Sequence, residues 1–195
     1  MRRSVRRREL ELLKGAKLFD RNKVTPFLRR FCPDYMVERI KDIDPQDLVA
    51  WNVKGVLLDL DNTLLPWKSH EMPSETIEWV KKCQDAGMKL CLVSNTRNLT
   101  RLRDMADLMG LPAVAPTKMK PSRMGFVQAL ELLGIHSSEA VMIGDQMFTD
   151  IWGGNRAGIR TIWVERMARR EFFGTRFSRM AERLLSRWIR KGHGE

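Results

Sequence analysis

The stretch "LLDLDNTL", residues 57–64, carries an apolar run into two acids and a threonine. Asp59 and Asp61 stand two residues apart, a spacing that turns both side chains to one side of an extended backbone. Further along come Ser94-Asn95 after "KLCLV", Lys120 directly before Pro121, and "GDQMFTD" with Asp145 and Asp150. Each piece alone has an ordinary explanation. Asp-Asn-Thr after a strand suits turn chemistry, and Ser-Asn or a lone aspartate suits a helix cap. A lone lysine is normally solvated. As a set they point elsewhere. Gathered carboxylates repel and need a cation, for which Mg2+ is the simplest choice. A lysine and a helix start nearby receive anions. A carboxylate nucleophile, a second acid, a hydroxyl, a lysine and Mg2+ together suit phosphoryl transfer. Asp59 would attack phosphorus, and Asp61 would protonate the leaving oxygen and then deprotonate water. Lys120 and the cation would neutralise the transferring group.

For this to work, the fold must bring distant segments to one place. "KGVLLDL" (54–60), "MKLCLVSN" (88–95), "PAVAP" (112–116), "EAVMIGD" (139–145) and "IRTIWVE" (159–165) are short apolar runs that predict buried strands. Between them lie helical patterns. One runs from Ser74, an N-cap candidate, to Gly87, and the next follows Asn98 and ends at Gly110. A third runs from Pro121, suited to a first turn, to Gly134, and a shorter one spans "FTDIWGGNRAG". Strands alternating with helices imply an α/β fold with a doubly wound parallel sheet. Ligands bind outside the carboxyl ends of such strands, where Asp59, Asp61, Ser94 and Asp145 would stand, with Lys120 on the same side.

The four segments "DLDNT", "VSN", "KP" and "GDQMFTD" resemble, in order and spacing, the four motifs of the haloacid dehalogenase-like superfamily. "GDQMFTDIWGGNRAG", with "FCPDYMVERIKDIDPQDL" before the first motif and "EFFGTRFSRMAERL" after the sheet, is similar to the YqeG-type branch of capless phosphatases. That branch includes phosphatidylglycerophosphate phosphatases of mitochondria and plastids. The resemblance implies a HAD-like Rossmannoid domain without a large cap. It implies Asp59 as nucleophile, Asp61 as general acid and base, Ser94 as phosphoryl binder and Lys120 as charge stabiliser. Mg2+ would be held by Asp59, the Asp61 carbonyl and Asp145. Asp150 would be a supporting acid, either beside the metal ligands or orienting the lysine, and Thr63 and Asn95 would contact substrate. Gln146 stands where many superfamily members carry another acid, and Lys118 competes with Lys120 for the lysine role.

Ser94 follows Asp61 by 33 residues and Lys120 follows Ser94 by 26, and one helix uses most of each gap. Neither gap holds an inserted cap, so the site is expected to be open to a phosphate on a large body. The chain has 195 residues and a net charge of +11. Residues 1–30 hold 11 Lys/Arg against 3 Asp/Glu, and residues 165–195 hold 9 against 4. The basic excess therefore sits at the ends. Three segments are expected: a basic N-terminal helical segment (1–50), the catalytic domain (51–168) and a basic amphipathic C-terminal helix (169–195). In the last, Phe173, Phe177, Met180, Leu184 and Trp188 recur at helical spacing among arginines, a pattern suited to an anionic membrane surface or to packing on the sheet or on a partner chain. The three cysteines have no metal-site spacing and fit a reducing cytoplasm. No apolar run reaches the roughly 20 residues of a membrane span. The expectation is a cytoplasmic phosphatase, peripheral on the inner face of the membrane, acting on phosphatidylglycerophosphate. A soluble metabolite or a nucleic-acid end as substrate, or a non-catalytic nucleic-acid- or ribosome-associated module, are the alternatives.

Overall fold

The computed structural model describes residues 17–21 and 24–165. Seven strands form one sheet: β1 (Lys17–Leu18), β2 (Tyr35–Val37), β3 (Gly55–Leu58), β4 (Lys89–Val93), β5 (Ala113–Val114), β6 (Ala140–Gly144) and β7 (Arg160–Val164). Their spatial order is β1-β2-β7-β6-β3-β4-β5. Every pairing is parallel except β1 with β2. β3 is central, and its flanks are β6 and β4.

Burial on both faces explains why the central strands read as continuous apolar runs rather than alternating ones. Val56 and Leu58 of β3, Leu90 and Leu92 of β4, and Val141 and Ile143 of β6 belong to one core. Their neighbours Leu57, Cys91, Val93, Ala140 and Met142 belong to the other. The alternation follows the two-residue period of a strand. On the first face lie helices α1 (Pro45–Ala50), α2 (Ser74–Asp85) and α3 (Leu99–Met109), through Leu48, Trp79, Val80, Leu102 and Met105. On the second lie α4 (Met124–Leu133) and α5 (Trp152–Ala157), through Phe126, Ala129, Leu133 and Ala157. Gly153 lets α5 come close, because a Cβ there would lie 2.6 Å from the Phe126 ring.

The five strands and four helices expected between residues 54 and 165 are present, with three local differences. Ser74 is the first helical residue and Pro73 occupies the cap without a side-chain bond. Pro121 lies in the loop before α4, which begins at Met124. The "FTDIWGG" helix opens with a wide π-helical turn over Met147–Ile151.

Residues 17–50 are not a separate helical segment. Tyr35–Val37 adds a strand to the sheet beside β7. Phe19, Val24 and Cys32 form a third apolar cluster with Met147, Ile151 and Trp163. Polar ties reinforce it: Arg21 Nη2 donates to the Cys32 carbonyl (2.7 Å) and to Asn155 Oδ1 (2.9 Å), and Asn155 Nδ2 donates to the Arg30 carbonyl (2.8 Å). The physical reason is that β7 has a free parallel edge, and an apolar segment from upstream fills it. The proposed segment 169–195 and residues 1–16 lie outside the described residues. Among the described residues, no helix is long and apolar enough to cross a membrane.

Candidate active site

The site is built at the carboxyl edge of the sheet. Asp59 directly follows β3, and its N–H donates to the Ile143 carbonyl of β6 (3.0 Å), so the central ladder itself fixes it. Ser94 follows β4 and donates its N–H to the Val114 carbonyl of β5 (3.1 Å). Asp145 follows β6, and its carbonyl accepts from Trp163 Nε1 (2.8 Å), which anchors the loop to β7.

Lys120 reaches into this edge from the loop before α4. Its ammonium is 2.6 Å from Asp59 Oδ1, 2.7 Å from Asp150 Oδ1 and 2.6 Å from the Val93 carbonyl. The contacts to Asp59 and Val93 are hydrogen bonds, and the one to Asp150 is an ion pair. Lys120 is 4% exposed, Asp59 5%, Asp145 2% and Asp150 0%. Lys118 is exposed, and it is Lys120 that fills the lysine position.

Two devices hold the lysine. Asn95 Oδ1 accepts from the Lys120 N–H (2.7 Å) while Asn95 Nδ2 donates to the Lys120 carbonyl (3.0 Å). The amide therefore grips the backbone of the lysine, and Asn95 is a positioning residue rather than the expected substrate contact. Asp150 is the second device. The π-helical turn folds it back so that its Oδ2 accepts from the Gln146 N–H (3.1 Å), and it lies against Gly144, where any Cβ would collide with it. Thr63 is wholly buried, its hydroxyl oxygen without a hydrogen-bond partner among the described residues.

Burial and charge set the protonation behaviour. Burial pushes the Asp59 carboxyl up to about 7; Lys120 pulls against it, while Asp150 and Asp61 add to the rise. Burial disfavours the Lys120 ammonium, but Asp150 and Asp59 outweigh that and raise its pKa above the ordinary lysine value. Three buried carboxyls lie together, and Lys120 pairs with two of them. Asp59, Asp145 and Asp150 can each bring a carboxylate oxygen within 4.8 Å of the others. This all-oxygen, electron-rich set fits a hard divalent cation such as Mg2+. Asp150 is engaged by Lys120 and Gln146, which makes Asp59 and Asp145 the better-suited ligands.

The carboxylate of Asp61 goes elsewhere. Arg101 Nη1 donates to Asp61 Oδ2 (3.0 Å) and Arg101 Nη2 to Asp61 Oδ1 (2.9 Å), a bidentate pair. Any share of Asp61 in metal binding is thus limited to its main-chain carbonyl. Arg101 was not among the residues expected in the site. The signal was available: an arginine beside Leu102 and four residues before Met105, in the stripe that α3 turns to the core. Trp163 escaped notice because it reads as a strand residue.

Two comparisons with protein families match this chain: haloacid dehalogenase-like hydrolase over residues 56–116, and HAD-hydrolase-like over residues 119–170. The "Probable phosphatase YqeG" of Bacillus subtilis is 39% identical over 164 residues, 84% of this chain and 94% of that protein. The "Phosphatidylglycerophosphate phosphatase 1, chloroplastic/mitochondrial" of Arabidopsis thaliana is 31% identical over 82% of this chain and 49% of that protein. The chloroplastic protein of the same name from Chlamydomonas reinhardtii is 29% identical over 82% and 63%. The chain thus spans about half to two thirds of the length of the plant and algal relatives.

Proposed function

The chain belongs to the haloacid dehalogenase-like hydrolases, as a phosphatase of the YqeG kind, and on that premise we propose a Mg2+-dependent phosphomonoesterase working through an aspartyl phosphate. The observation that carries the reading is the unequal use of the two Asp59 oxygens. Oδ1 is bound to Lys120, while Oδ2 is buried and has no hydrogen-bond partner among the described residues. A buried carboxylate oxygen kept free of donors is one kept for a new bond.

Asp59 Oδ2 attacks phosphorus. The bond from phosphorus to the ester oxygen breaks, and Asp61 supplies the proton that makes the leaving group an alcohol. Water then attacks the aspartyl phosphate and gives its proton to Asp61. The bond from phosphorus to Asp59 breaks, and inorganic phosphate leaves. Lys120 offsets charge on the transferring oxygens, and Ser94, at the end of β4, offers its hydroxyl to them. Mg2+, held by Asp59, Asp145 and the Asp61 carbonyl, would supply the positive charge that permits a dianion beside three carboxylates.

For the substrate we favour phosphatidylglycerophosphate. Its supports are the names of the Arabidopsis and Chlamydomonas relatives, and the absence of a cap inserted between the motifs, which suits a phosphate carried on a large body. The basic segments at both ends suit contact with an anionic membrane. The test is phosphate release from phosphatidylglycerophosphate in anionic mixed micelles with Mg2+, beside Asp59→Asn, an EDTA control and soluble phosphomonoesters. Turnover of the lipid lost in both controls is expected. Turnover of soluble esters alone would remove the lipid and keep the chemistry; no Asp59-dependent turnover would remove both and favour a non-catalytic binding role.

A further inference from the structure

Arg101 is an arginine placed where an apolar residue would be the default. It is 4% exposed, and its guanidinium is bound to two residues of one loop, Asp61 and Ser69. Its N–H is held by the Asn98 Oδ1 cap of α3 (3.0 Å), which fixes where the side chain starts. Its Nε donates to the Ser69 carbonyl (2.8 Å), and its two terminal nitrogens take both oxygens of Asp61. The same Asp61 also receives the Lys68 N–H at Oδ1 (2.8 Å). Lys68 presents that N–H from a left-handed backbone (φ 58°), a conformation most non-glycine residues avoid. Residues 61–69 are thus wound around one guanidinium, with Asp61 at one end and Ser69 at the other.

The two carboxylate oxygens are not equivalent. Oδ1 takes two donors, from Lys68 and Arg101, and Oδ2 takes one. Each oxygen has two lone pairs. Oδ1 is saturated, and Oδ2 keeps one lone pair on a carboxylate whose plane is fixed by a planar fork. We propose that Arg101 is the positioning residue of the proton-transfer step: it fixes the Asp61 carboxylate so that Oδ2 is the oxygen that exchanges a proton with the leaving group and with water. This deepens the phosphatase reading and rests on it. A lysine cannot replace the fork, because a point charge does not set the carboxylate plane.

Such a role has a signature that simple loss of stability lacks. Proton donation matters for a poor leaving group, an alkoxide, and matters little for an activated phenolate that leaves unaided. The experiment compares glycerol 3-phosphate with p-nitrophenyl phosphate for wild type, Arg101→Ala, Arg101→Lys, Asp61→Asn and the Arg101→Ala/Asp61→Asn double variant, all in Mg2+. The readout is the ratio of kcat/KM values on the two substrates within one preparation, which isolates transfer to Asp59 from the later water step and cancels differences in folded fraction. General acid–base catalysis contributes about 10²–10⁴-fold, so Arg101→Ala is expected to cut kcat/KM on the alkyl ester on the order of 10²-fold, and on the aryl ester by less than about 5-fold. Arg101→Lys should show the same skew at a smaller amplitude and covers the case in which Arg101→Ala does not fold. The double variant should be no worse than Asp61→Asn alone. Equal losses on both substrates in the arginine variants, beside a skewed Asp61→Asn, would overturn the role of Arg101 and spare the general-acid reading. An unskewed Asp61→Asn would overturn the general-acid reading, and the proposal with it.

Discussion

Replacing Lys120 by Met is the sharpest test of how the site is held together. The methionine keeps the approximate length of the chain and removes the cation that Asp59 and Asp150 share in the described core. Three contacts vanish at once, two of them ion pairs with side chains that are almost completely buried. Removing one partner of a buried pair typically costs about 3–5 kcal/mol, because the remaining charge has nowhere to go. The acids can reduce that cost by taking up a proton. In the metal-free wild type the Asp59 carboxyl already sits at about 7, above its usual range. Between its unfolded value near 4 and about 7 the folded chain therefore binds more protons than the unfolded one, and stability falls as pH rises through that window. Losing Lys120 pushes the carboxyl higher still and extends the fall above pH 7, by about 1.4 kcal/mol for each pH unit over which one extra proton is bound. Urea denaturation in EDTA at pH 5.5 and pH 8 measures this. The variant should lose about 3–5 kcal/mol at pH 8 and about 1–2 kcal/mol less than that at pH 5.5. Mg2+ should restore part of the loss at pH 8. A loss below about 1 kcal/mol at pH 8, or one that does not change with pH, would mean that Lys120 is not compensating buried charge, and the account of the site would be wrong.

Asp59→Asn should lower phosphatase turnover by on the order of 10³-fold or more while leaving stability in EDTA at pH 8 equal to or above that of wild type, since the neutral side chain removes a buried charge; a marked drop in melting temperature would contradict this. Gly144→Ala should destabilise by about 1–3 kcal/mol in urea titrations, because the new Cβ meets Asp150 inside a packed turn and the acid must move off the lysine. Burial pushes the Cys83 and Cys91 thiols up to about 12 and Cys32 to about 11, so at pH 8 an aromatic disulfide reagent should label none of the three until urea unfolds the chain. Rapid labelling of the native protein would show that these positions open.

The chemical groups and their order were legible from residues alone. Asp59, Asp61, Ser94, Lys120 and Asp145 each sit where a buried run ends or a helix is about to begin, and those transitions are written in local hydropathy. The rule that parallel strands present ligands at their carboxyl ends did the rest, so sheet and site could be placed before any contact was known. What local patterns do not carry is the partner of each side chain. Whether Asn95 faces substrate or grips the lysine backbone depends on a loop 25 residues away. Whether Asp61 stands alone or in the fork of Arg101 depends on how α3 is rotated against the loop at 61–69. The same limit hid Tyr35–Val37, a three-residue strand whose identity comes from the open edge of β7 and not from its own pattern. Residue type and spacing set which groups could react. Long-range packing decided which oxygen of Asp59 is tied to Lys120, which acid holds that lysine, and which arginine aims Asp61, because each of those is a contact between segments far apart in the chain.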